Sequence, residues 1–234
     1  MFVVSRQGLT SYNGKLYESI GLYGKSQLRE INPTDGSVLS SHALDHQYFA
    51  EGLTYFQDVH GNHRLLQLTW KAKIGFIYDA TSFHLVKEFT YDTQTGEGWG
   101  ITFDPETKML IVSDGSEWLH FWDSETLEEV KRIRVMIGQS NPRTKETMFN
   151  PVNYLNELEF VNGRVLANVW YQDVMVSIDP NTGTVDRLID FKDLYKNRDS
   201  QADCFNGIAQ WGDEPGELLV TGKLWPKMYR IKLM

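Results

Sequence analysis

The chain has 234 residues, 41% of them hydrophobic, and carries 23 basic against 31 acidic side chains for a formal net charge of −8. That length and apolar content suit one large domain or two small ones with a real core, not a disordered chain. The acidic balance lacks the basic footprint of a nucleic-acid binder, the lone cysteine Cys204 excludes an internal disulfide, and no apolar run is long enough for a transmembrane helix.

Met1 to Gln7 lacks the basic start and apolar run of a signal peptide, so no leader is expected and the compartment stays open. Within it, Phe2-Val3-Val4 is a short apolar run. Then a phrase begins that recurs five times: a polar or aromatic residue, a small or charged one, an aliphatic. It reads Gln7-Gly8-Leu9, Glu51-Gly52-Leu53, Trp99-Gly100-Ile101, Asn156-Glu157-Leu158 and Asn206-Gly207-Ile208, at spacings of 44, 48, 57 and 50 residues. A β-type run follows each, at 15–18, 65–69, 109–113, 164–168 and 217–221. Next comes an alternating run that ends in Asn or Asp and a turn, as in Leu28 to Gly36, Phe76 to Asp79, Leu119 to Asp123 and Val176 to Gly183. A fourth strand then follows at 37–39, 85–89, 130–133 and 185–189. Four strands in about 45–55 residues make a propeller blade.

The predicted fold is therefore all-β: a five-bladed β-propeller forming a single domain over 1–234, with blades at about 6–45, 46–95, 96–138, 152–195 and 204–234. The fifth unit lacks its outer strand, and residues 1–5, chiefly Phe2-Val3-Val4, are expected to supply it and close the ring. Asp190 to Asp199 has room for a short helix. Loops near 136–150 and 191–205 are expected to overhang one face as rims or lids.

In a propeller the inner strands all begin at one face and the second strands end there. Two rings of side chains should meet at that face: Gln7, Glu51, Trp99, Asn156 and Asn206, then Trp70, Asp114, Trp170 and Lys223. Together they would form a polar, aromatic-walled pit suited to a small molecule. Asp114 also reads as a turn residue in Ser113-Asp114-Gly115-Ser116. Other motifs carry less. His60 with His63, and His42 with His46, sit in loops without metal-ligand spacing. Asp179 to Gly183 fills a turn slot and lacks the sixth-position glycine of a calcium loop. Cys204 reads as a small buried residue, and no nucleophile elbow or His-Glu-x-x-His motif is present. No metal and no cofactor is expected.

These phrases resemble the plant- and bacterial-type glutaminyl-peptide cyclotransferase (glutamine cyclotransferase) family over nearly the whole chain. The resemblance rests on Gln7-Gly8-Leu9, Phe49-Ala50-Glu51-Gly52-Leu53-Thr54, Gln67-Leu68-Thr69-Trp70, Gly96-Glu97-Gly98-Trp99-Gly100, Leu155-Asn156-Glu157, Ala167-Asn168-Val169-Trp170, Asn206-Gly207-Ile208 and Thr221-Gly222-Lys223-Leu224-Trp225-Pro226. It implies a five-bladed, zinc-free acyltransferase that turns N-terminal glutamine of peptides into pyroglutamate and releases ammonia. The implied catalytic residues are Glu51, as the acid–base, with Lys223 and Asn156. The implied substrate-binding residues are Gln7, Phe49, Trp70, Trp99 and Trp170, and Asn206 joins them from its place in the first ring. Partners would be Gln-initiated peptides, with no nucleic acid and no membrane, and the protein would act as a monomer. Members of this family are often secreted or periplasmic. Two departures stand out: Ser5 replaces a usual aromatic, and the segment from Met136 to Asn150 is long. Glu97, two residues before Trp99, is the nearest competing carboxylate. A non-catalytic docking platform is the alternative, but docking does not require Glu51 with Lys223 in a pit. A calcium-dependent propeller hydrolase would need more inner-ring carboxylates than Glu51 alone.

Overall fold

The computed structural model describes residues 4–212, 214 and 216–233, and its regular elements are strands throughout. The turn residues explain why each repeat folds back on itself. Asn13-Gly14 and Asn162-Gly163 take positive φ at both positions, the geometry of the tight hairpin turn whose twist matches its flanking strands. Asn32, Asp79, Asp123 and Asp179 accept hydrogen bonds from backbone N–H groups two residues on, and so cap the outer turns.

The first sheet runs in chain order through β1 (Arg6–Tyr12), β2 (Lys15–Ile20), β3 (Gln27–Ile31) and β4 (Val38–Ala43). The second holds β5 (Ala50–Gln57), β6 (His63–Thr69), β7 (Ile74–Asp79) and β8 (Leu85–Thr90). The third holds β9 (Ile101–Asp104), β10 (Met109–Ser113), β11 (Trp118–Asp123) and β12 (Glu129–Arg134). A hairpin follows, β13 (Met136–Ser140) and β14 (Thr147–Pro151). The fourth blade is β15 (Leu155–Val161), β16 (Arg164–Val169), β17 (Val174–Ile178) and β18 (Thr184–Asp190). The fifth is β19 (Phe205–Gln210), β20 (Glu217–Gly222) and β21 (Tyr229–Lys232).

Adjacent blades bury their apolar faces against each other. Phe56 and Leu66 of the second blade pack with Ile101, Leu110 and Trp122 of the third. Ile111 and Leu119 of the third pack with Leu155, Val165 and Val176 of the fourth. Leu9, Leu16 and Ile31 of the first meet Ala209 and Leu219 of the last, so the ring closes on itself. This closure leaves the inner strands crowded at the axis. Gly52 donates to the Trp99 carbonyl across the blade seam at 2.7 Å, and a Cβ on Gly100 would collide with the Asn156 carbonyl oxygen. The recurring glycine is thus a condition of close approach. The fourth repeat has Glu157 there instead. Its carboxylate accepts from Leu9 N at 3.1 Å and Ile208 N at 2.8 Å, which ties three blades together.

The 136–150 segment is not a lid. It forms the β13–β14 hairpin, and β13 pairs in parallel with β18 (Met136 with Thr184, Ile137 with Val185), extending the fourth sheet to six strands at its outer edge. Asp190 to Asp199 holds no helix: Asp190 ends β18, 192–197 form turns, and Phe191, Leu194 and Tyr195 pack with Phe205 and Trp225 on the fifth blade. Of the closing strand, Phe2 and Val3 lie outside the described residues. Val4 is described, and its carbonyl accepts from Leu224 N at 3.0 Å, which places this end of the chain at the fifth blade.

Candidate active site

Where the inner strands begin, the chain is irregular. The ladder shifts register between Arg6 and Gly8, Ala50 and Leu53, Leu155 and Leu158, and Phe205 and Ile208. Such bulges re-aim a side chain out of the pleat. They fall on Gln7, Glu51, Asn156 and Asn206, the first-ring positions of four blades.

A cavity of about 160 Å³ opens there, lined by Gln7, Phe49, Glu51, Trp70, Trp99, Asn156, Trp170 and Lys223. A wider hollow of about 750 Å³ lies at the opposite end of the inner strands, among Tyr12, Tyr55, Lys108 and Gly212. The smaller pit gathers side chains of both rings around the buried carboxylate of Glu51. Its walls are aromatic. Phe49 meets Trp70 edge-on at 5.7 Å and Trp99 meets Trp170 edge-on at 5.1 Å, while Tyr171 stacks on the outer face of Trp170 at 3.9 Å.

Two expected residues fall outside the lining. Asn206 is fully buried beside the ring, with its Nδ2 facing the carbonyls of Arg6 and Gln7 at 3.4 and 3.5 Å. Asp114 turns away from the pit and holds Ser116, Thr95 N and the imidazole of His120. Asp114 thus acts as the turn residue of Ser113-Asp114-Gly115-Ser116. The first blade contributes no second-ring side chain, since Gly21 stands there and a Cβ on it would collide with Phe49 and Gln7.

The polar groups of the pit are unevenly satisfied. Gln7 Nε2 donates to Ser5 Oγ at 2.8 Å, so the residue in place of the usual aromatic orients this amide. Gln7 Oε1 and Asn156 Oδ1 are buried without a protein partner. Two unpartnered acceptors favour a ligand that brings N–H groups. Glu51 is only 7% exposed, and burial pushes its carboxyl up to about 8, with Lys223 opposing and Glu97 adding to the rise. Lys223, itself buried, brings its Nζ to 5.8 Å from the Trp170 ring centre. In the sequence, Glu97 stands only as a carboxylate competing with Glu51. In the structure its Oε2 accepts from both Trp70 Nε1 and Trp99 Nε1. No sequence pattern signals that arrangement, because the two indoles come from different blades.

A family model described as glutamine cyclotransferase matches residues 4–233. A glutaminyl-peptide cyclotransferase of Arabidopsis thaliana is 38% identical over 225 residues, covering 94% of this chain and 64% of that protein. The chain therefore spans about two thirds of that relative's length. A glutaminyl cyclase of Myxococcus xanthus superposes with a TM-score of 0.79 at 30% identity, covering 97% of this chain and 90% of that one. The WD40 propeller domain of Doa1 superposes with a TM-score of 0.53 at 9% identity, covering 95% of this chain and 61% of that one, and shares the fold alone.

Proposed function

We propose, since the chain belongs to the glutamine cyclotransferase family, that it is a glutaminyl-peptide cyclotransferase converting N-terminal glutamine to pyroglutamate and ammonia. The observation that carries this reading is the small aromatic pit with Glu51 and Lys223 buried in it.

The reaction closes a five-membered ring. The α-amine attacks its own γ-amide carbonyl, so holding a folded glutamine side chain supplies much of the rate. Phe49, Trp70, Trp99 and Trp170 enclose that side chain and keep water out. Gln7 Oε1 and Asn156 Oδ1 are available to substrate N–H groups. A peptide α-amine has a reference pKa of about 7.7–8.0, close to the value of about 8 for Glu51. A carboxyl raised into that range can take the proton from the α-ammonium and leave a neutral nucleophile. Attack forms a new C–N bond and an oxyanion, which Lys223 and the Asn156 amide N–H stabilise. Protonated Glu51 then donates to the departing nitrogen, the old C–N bond breaks, and ammonia leaves. The carboxylate takes up the surplus proton of the ring nitrogen, so the product is the neutral lactam.

Each chemical role has a side chain in the pit, and no group of three or more His, Cys, Asp or Glu gathers among the described residues. We therefore read the reaction as metal-independent and the working unit as a monomer, all eight lining residues coming from one chain. Incubating the protein with a Gln-initiated dipeptide and EDTA should release one ammonia per peptide and consume its α-amine. No ammonia would exclude the cyclase reading and favour a docking platform. Activity lost to chelator and restored by zinc would exclude only the metal-free claim.

A further inference from the structure

The turn entering the third blade carries a carboxylate that this mechanism leaves unused. Glu97 Oε2 accepts from Trp70 Nε1 at 2.7 Å and from Trp99 Nε1 at 2.9 Å. Its other oxygen lies 3.5 Å from Lys71 Nζ, and that ammonium sits 3.9 Å above the Trp70 ring. One oxygen atom thus fixes the orientation of two walls that belong to neighbouring blades. Hydrogen bonds from indole N–H to a carboxylate are charge-assisted and directional. Without that acceptor, two half-buried indole donors would have to turn or find water.

The carboxylate is itself held in place. Thr93 Oγ1 donates to the Glu97 carbonyl at 2.7 Å, and Gly98 N donates to the Trp70 carbonyl at 2.9 Å. Thr95 N donates to Asp114 Oδ2 at 2.9 Å. Asp114 lies 3.2 Å from Nε2 of the buried His120, whose Nδ1 lies 2.8 Å from Glu129. The turn is clamped from the third blade, and the clamp ends at Glu97. The charge matters as well. Glu97 is hydrogen-bonded to two indoles that line the same pit as Glu51 and Lys223, so its charge disfavours the ionised form of Glu51 while that of Lys223 favours it.

We propose that Glu97 is a positioning residue: it locks the indoles of Trp70 and Trp99 as adjoining walls of the pit and holds a second negative charge behind those walls. The proposal rests on the cyclase reading above, since fixed walls matter most for an intramolecular attack, where a shift of about 1 Å can cost on the order of 10²-fold.

The two contributions separate by substitution. In Glu97→Gln the amide oxygen can still accept from both indoles, but the charge is gone. Glu97→Leu removes both. Near-UV circular dichroism of the full chain reports how rigidly the indoles are held, and steady-state turnover of a Gln-initiated dipeptide across pH reports the chemistry. Glu97→Leu should keep its far-UV spectrum, weaken the tryptophan bands, and lower kcat/KM by roughly 10–10²-fold. Glu97→Gln should keep the tryptophan bands, lose little turnover, and move the pH optimum of kcat/KM downward, because Glu51 loses a neighbouring negative charge. Glu125→Gln, on an exposed outer turn, serves as the charge control and should match the parent. Parent-like tryptophan bands and kcat/KM in Glu97→Leu would overturn the positioning role. An unmoved optimum in Glu97→Gln would overturn the charge role. If the parent itself releases no ammonia, the cyclase reading fails, and the near-UV comparison still decides whether Glu97 holds the indoles.

Discussion

Glu51 is pulled in two directions, and the direction that wins sets its chemistry. Desolvation is the larger influence and Lys223 the main opposition, with the carboxyl settling at about 8. Replacing Lys223 with Met removes the opposition. The Glu51 pKa should rise further, less carboxylate is present at neutral pH, and the optimum of kcat/KM should move to higher pH. Turnover should also fall by about 10²-fold as an oxyanion donor is lost. A pH profile measured on a Gln-peptide checks both, and an unshifted optimum would show that the two groups do not sense each other. At this scale much of the candidate site is legible in the sequence, because four of the five repeats start their inner strands with Gln7, Glu51, Trp99 and Asn156, side chains that line the pit, whereas Phe49 is marked only by the family resemblance. Asn206 shares its bulge with Gln7, Glu51 and Asn156, yet it stays outside the lining, with its Nδ2 facing the Arg6 and Gln7 carbonyls of the neighbouring blade, a contact that residue type does not announce. Asp114 follows the turn reading of Ser113-Asp114-Gly115-Ser116. Ser5, noted only as a departure, proves to orient Gln7.

Strand pairing within a blade is local in sequence and was therefore readable, whereas pairing between blades is not. The β13–β14 hairpin shows the difference. Its edge partner β18 lies over 30 residues later in the chain, as the pairing of Ile137 with Val185 shows. No local pattern marks that pairing. Because this hairpin is exposed and contributes no residue to the pit lining, replacing 138–149 with a short turn should leave kcat/KM within a few-fold of the parent. A large rise in KM would show that the hairpin reaches the substrate. The blade seams should be far less tolerant. In Gly100→Ala the added methyl meets the Asn156 backbone, which cannot swing aside as a side chain can. A loss of about 1–3 kcal/mol in urea unfolding is expected, together with lower turnover, because the seam carries Trp99 and Asn156. Unchanged stability would mean that the inner strands have slack.

Across the whole molecule, the ring closes around buried acids. Glu51 and Glu159 are pushed up to about 8 by burial, and Glu157 is raised well above its ordinary value for the same reason. A carboxyl whose folded pKa lies above its unfolded one contributes stability below the unfolded value and loses it as pH climbs through the folded value. His120, raised by its hydrogen bonds to Asp114 and Glu129, loses its contribution in the same direction. Asp114 is held down at about 2 and acts oppositely, its contribution fading only in strong acid. The melting temperature should therefore fall steadily from about pH 5 to pH 9, with a shallower slope in Glu159→Gln. A flat profile would mean that these carboxyls ionise in the folded state without penalty. The same burial places the proton shuttle, so the most direct test of the account is turnover of one Gln-initiated dipeptide by the parent and by Glu51→Gln, with melting curves as the folding control. The parent should release ammonia in step with loss of the α-amine, and Glu51→Gln should remain folded while turning over roughly 10²–10⁴-fold more slowly. A folded Glu51→Gln that turns over like the parent would contradict the account.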